Sequence, residues 1–139
     1  MNIGRIFVCV IFAASIGGCV RKPYEVKVPA KRNRVSPLYK AMDTAGTRLA
    51  GIESGLKARK DPEAILASLA GSERDFKELA GIKPLSGSPE LYLQYCQTIS
   101  GIILDVKRHV NVRYWQAAES SFYRIQNLWK EMQADFGPR

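Results

Sequence analysis

Histidine occurs once in the 139 residues and cysteine three times. A single imidazole, His109, excludes most metal sites and every histidine-dependent triad except one built on that residue. No Cys-x-x-Cys pair and no glycine-rich phosphate loop takes its place. Long hydrophobic runs are scarce as well. The longest, Ile6 to Ile16, holds eleven residues, against the ~20 that a membrane-spanning helix needs. Strand-like alternation of apolar and polar residues is missing too. The acidic pairs Asp61/Glu63 and Glu73/Asp75 fall where helix starts and solvated faces ordinarily put carboxylates, and His109 falls in a last helical turn that suits its partial charge. No catalytic constellation emerges, so no enzyme activity, metal or cofactor is expected from these residues.

Composition is that of a globular chain, 46% hydrophobic and 24% charged, of a length that supports one domain with one core. The formal net charge of +8 has the sign of a nucleic-acid binder, but its location argues otherwise. Six cations and one anion fall between Val20 and Val35, and residues 36–139 carry a net charge of only +2. A groove-reading domain needs its basic face on a rigid element. Here the charge sits in a short, proline-containing segment that reads as an extended spacer, so no nucleic-acid partner is expected.

That segment follows a cysteine placed behind the apolar run. Arg5, the run from Ile6 to Ile16 and then Ile16-Gly17-Gly18-Cys19 read as an export signal, and the last four residues resemble the lipobox of bacterial lipoproteins. The resemblance implies that the signal is cut before Cys19, that the Cys19 thiol carries a diacylglyceryl group, and that the new amino terminus is acylated. Small residues let the backbone enter a peptidase site, and the thiolate is the nucleophile that takes the lipid. At about 0.8 kcal/mol per buried methylene, three acyl chains hold a protein on a membrane permanently. In Gram-negative members an aspartate after the cysteine retains the protein in the inner membrane; Val20 in that place implies an outer-membrane, periplasm-facing anchor, with the inner membrane as the alternative. The expected organisation is a signal over 1–18, the lipidated cysteine and basic tether over 19–35, and a folded body over 36–139. Cys9 leaves with the signal, so Cys96 is the one free thiol of the body, open to an intermolecular bridge, to reactivity or to burial as a small hydrophobe.

Within the body, four segments carry apolar residues at intervals of three and four. They are Leu38 to Leu56, Ile65 to Leu79, Tyr92 to Val110 and Trp115 to Phe136, each placing one stripe on a helical face. Ser36-Pro37, Asp61-Pro62 and Ser88-Pro89 each put a capping side chain ahead of a proline at the first helical position. Gly137-Pro138 closes the fourth helix. Short links near Lys60 and Asn111 and a longer one, "GIKPLSGS", predict an all-α, up-down-up-down four-helix bundle. Gly46, Gly51 and Gly55 in the first helix are expected to admit close helix packing.

The body resembles the c-prime cytochromes and their four-helix relatives in architecture and local texture: Met42 early in the first helix, "GLKARKDPEAI" at the first turn, the long second link, and "SPELYLQY" opening the third helix. Family members carry Cys-x-x-Cys-His near the end of the last helix, where this chain has Trp129-Lys130-Glu131-Met132-Gln133. Covalent haem and an axial histidine therefore do not carry over. In an up-down bundle His109 falls at the opposite end from Met42 and Met132, which excludes a methionine–histidine pair. Met42, Phe76, Cys96, Trp129 and Met132 are expected at one level of the bundle, as a filled core or as a ligand pocket. The expected role is a membrane-anchored lipoprotein whose non-catalytic bundle binds or scaffolds a protein partner; the alternative is a c-prime-like protein that binds haem or another small ligand.

Overall fold

A computed structural model describes residues 35–139. The signal segment, Cys19 and nearly all of the tether lie outside these residues. Four α-helices make up the described chain: α1 (Pro37–Ala58), α2 (Pro62–Ala80), α3 (Pro89–Asn111) and α4 (Trp115–Phe136). Each consecutive pair packs together, and α1 also meets α4, which closes the ring of an up-down four-helix bundle. No strand occurs among the described residues.

Three helices begin with proline at the first position, where a missing N–H removes nothing that the helix would use. Asp61 accepts a hydrogen bond from the Ala64 N–H and Ser88 one from the Leu91 N–H, each at 3.2 Å. Ser36 differs from expectation: its side chain makes no capping bond, so proline alone marks the start of α1. Both tight turns rest on left-handed backbone, with φ of 51° at Arg59, 47° at Asp61 and 56° at Arg113. In the longer link Gly87 has φ of 82°, a conformation open chiefly to glycine. A Cβ there would also lie 2.8 Å from the Phe136 ring, so this glycine lets the link lie on the end of the bundle.

The apolar stripes form the core. Leu38, Met42, Ala45, Leu49, Ile52 and Leu56 are the buried residues of α1, and the corresponding stripes of α2, α3 and α4 meet them in one cluster. Tyr95 and Trp115, at stripe edges, are half-buried and pack against that cluster. Tyr95 reaches outward because its hydroxyl donates to Asp135 Oδ2 at 3.1 Å. Tyr92 is buried, and its hydroxyl donates at 2.6 Å to the Leu79 carbonyl at the end of α2, which also accepts from the Ile82 N–H at 2.9 Å, so the phenol finds its partner inside the core. Burying each large aliphatic side chain contributes about 1.5–3 kcal/mol, which makes this cluster, and not the exposed ion pairs, the main source of stability.

Candidate functional site

Met42, Phe76, Cys96, Trp129 and Met132 all lie in the single core cluster. The Trp129 indole meets the Phe76 ring edge-on, with centroids 5.6 Å apart and planes at 87°. On its other side the indole lies over Gly46, where an added Cβ would sit 3.4 Å from the ring. Met42 and Met132 are 3% and 0% exposed. Large rings and two flexible thioethers thus belong to the buried core. Tyr92 and Tyr95 both set ring edges against Phe136, at 5.3 and 6.3 Å, and extend the aromatic packing to the end of α4.

Cys96 is buried in the core. Burial pushes its thiol up to about 11, although a hydrogen bond with Tyr92 opposes the shift. At neutral pH the group is therefore a thiol and not a thiolate, and as a nucleophile it is inert. Burial likewise raises the Tyr92 phenol, with Cys96 adding to the shift. His109 lies in the last turn of α3, at the end of the bundle opposite Met42 and Met132. Its ring meets Tyr114 edge-on at 6.1 Å. Among the described residues no three histidine, cysteine or acidic side chains converge as a metal site, and no helix is long and apolar enough to cross a membrane.

Two of the carboxylates assigned from sequence to solvated faces do more than that. Asp75 Oδ2 accepts a hydrogen bond from Arg48 Nε at 2.5 Å, and the Asp75 side chain is only 11% exposed. Gly71 makes this reach feasible, since a Cβ there would lie 2.5 Å from Arg48 Nη1. Glu73 joins Lys107 of α3 at 3.1 Å. Charge spacing along one helix carries no signal of either pairing, because the partners lie on other helices. The glycines of α1 also divide: a Cβ added at Gly55 would lie 3.1 Å from the Ile65 side chain, but Gly51 faces open space, which corrects the expectation of close packing at that position.

Open surface lies on three seams: a groove of about 190 Å³ beside Lys40, Thr44 and Asp75 between α1 and α2, one of about 350 Å³ between α2 and α3, and two along α1 and α4. One groove there, of about 520 Å³, is lined by Leu56, Phe122, Tyr123 and charged neighbours, among them Glu53, Lys57 and Lys130. A shallower one of about 180 Å³ continues past Gly46 and Trp129. The Lys57 ammonium, 2.5 Å from Glu53, holds that carboxyl below its usual range. This is a mixed-charge furrow with an exposed tyrosine on its rim. Met42 and Met132 line none of these grooves. Comparison of the chain with models of known protein families, with curated proteins and with solved structures returns no match.

Proposed function

We propose that the protein is a lipoprotein, anchored through acylated Cys19 to a membrane facing the periplasm, whose four-helix body serves as a non-catalytic binding or scaffolding module. The observation that carries this reading is the run Ile16-Gly17-Gly18-Cys19 directly behind eleven apolar residues and ahead of a segment with six cations. Support comes also from the body, where the core is filled with side chains, the free thiol is buried, and the open surface includes a polar-rimmed furrow. Val20 in place of aspartate favours the outer membrane over the inner.

Mass spectrometry of protein extracted from its own membranes tests the reading. The mature chain should begin at Cys19 and carry the mass of its acyl groups, and Cys19→Ser should accumulate as an unacylated precursor. A soluble mature form beginning elsewhere overturns the proposal. Val20→Asp should move the protein toward inner-membrane fractions. An absorption spectrum of the same preparation addresses the body: a Soret band would replace the scaffold reading with that of a c-prime-like haem binder.

A further inference from the structure

The outer face of α3 carries a pattern that the bundle itself does not use. Glu90, Leu93, Gln97, Gly101, Leu104 and Arg108 follow one another at intervals of three and four residues, which aligns them in one stripe along the helix. All six are exposed, with Leu93 at 40% and Leu104 at 42%. Gly101 weakens the helix relative to alanine, yet a Cβ there would meet nothing within 4 Å. No contact inside the bundle requires the glycine. Gly51 of α1 is equally open, but its neighbours on that face, Thr44, Thr47 and Ser54, offer no leucine.

The stripe is complementary to itself. Turned end for end about the level of residues 98–99, it brings Glu90 onto Arg108, Leu93 onto Leu104 and Gln97 onto Gly101. At 1.5 Å per residue the two charges lie about 27 Å apart and the two leucines about 16 Å apart, each pair centred on that level. Glu90 sits in the first turn of α3 and Arg108 in the last. Their local partners are exposed and leave both free to pair further: Glu90 accepts from Ser88 Oγ at 2.8 Å, and Arg108 Nη1 lies 3.4 Å from Asp105. An antiparallel copy would form two Glu90–Arg108 pairs, cover both leucines, and set its helix dipole against the first in the favourable sense. Glycine at the middle of the crossing lets the backbones approach closely. A furrow of about 350 Å³ between α2 and α3 borders the stripe at Gln97.

We infer that the protein forms a two-fold symmetric dimer through the outer face of α3, with its axis at the level of residues 98–99. A two-fold contact pairs one patch with itself, and this stripe meets that demand in charge, apolarity and spacing together. A single helix pair is a small interface, so the dimer exchanges with monomer.

Sedimentation equilibrium of the full chain in density-matched detergent micelles, across micromolar concentrations, is the test. Wild-type protein should show a reversible monomer–dimer equilibrium. Glu90→Arg and Arg108→Glu should each weaken it by roughly tenfold or more, and the double variant should recover most of the loss, because the swap restores both pairs. Gln97→Cys should be joined to its counterpart by a bis-maleimide spanning about 10 Å, since the symmetry offsets the two copies of residue 97 by about four residues, and Tyr123→Cys on α4 should not. Monomer at every concentration overturns the inference. A dimer indifferent to both charge reversals, a double variant no better than the singles, or cross-linking through residue 123 but not residue 97 does so too.

Discussion

The two sides of α1 show how one helix makes two different seams. Toward α2 the small residues are met by something that fills them: Arg48 lies over Gly71 to reach Asp75, and the Ile65 side chain lies where a Cβ at Gly55 would come within 3.1 Å of it. Toward α4 a single ring, Trp129, reaches Gly46, and beyond it the seam opens into the furrow around Glu53 and Lys130. The heptad stripe is continuous under both. What differs is the flank beside the stripe, where α2 offers a glycine and a carboxylate and α4 offers glutamine and lysine. A helix can therefore be fully committed to the core and still leave one edge free for contact.

Removing the ring that anchors the open seam tests this contrast most severely. Trp129→Ala should lower stability by about 3–5 kcal/mol, as large-to-small core changes do, measured by urea unfolding. If the loss is well under ~1 kcal/mol, the indole fills no packed core, and the level of Met42 and Met132 has the character of a pocket.

Alkaline titration compares the seams with the interior between α2 and α3. The folded protein holds Cys96 at about 11, raised by burial from 9, so native protein keeps its proton where unfolded chain has lost it. The sign follows: the stabilisation is complete below about pH 9 and disappears as pH rises toward 11, an effect on the order of 2 kcal/mol. Tm should fall over that window, and Cys96→Ala should flatten the first part of the fall, before Tyr92 contributes. A thiol reagent at neutral pH should label Cys96 only as fast as the protein opens.

On the seam toward α2, Gly71→Ala places a methyl where the Arg48 guanidinium lies. The gain in helix propensity, about 1 kcal/mol, is offset by a displaced ion pair and local crowding of about 1–3 kcal/mol. A net loss on the order of 1 kcal/mol is expected, and it should vanish in an Arg48→Ala background. Glu53→Gln on the open seam should leave the urea midpoint unchanged, because its pairing with Lys57 is exposed. A lowered midpoint there would mean that the furrow is a structural contact and not free surface.

Much of this architecture could be read from residue spacing. Each position of the α1 stripe is buried, as are Ser72 in α2 and Val110 at the end of α3, because a period near 3.6 is a property of the single helix. The five residues expected at one level of the bundle are all buried in the core, which extends from end to end of the bundle, and of these Phe76 and Trp129 meet ring to ring. Spacing was silent where the outcome depends on a neighbouring helix. Gly46 and Gly51 are the same residue five positions apart, yet one meets an indole and the other solvent. Arg48 and Asp75 are separated by 27 residues, and nothing local to either points to the other. Ser36 has the residue type of a cap without its hydrogen bond, since the proline after it suffices to start the helix.

The thin closure between α1 and α4 also bears on how the chain folds. The other three seams join helices that are neighbours in sequence, two of them across tight turns, and only this one brings together the two ends of the body. Local pairing of that kind gives low contact order, the class of topology that folds in microseconds to milliseconds. Closing α1 on α4 carries the largest loop entropy and the least contact to offset it. The hairpin of α3 and α4 is therefore expected to nucleate and α1 to settle last, with Ile125 more fully formed than Leu49 in the transition state.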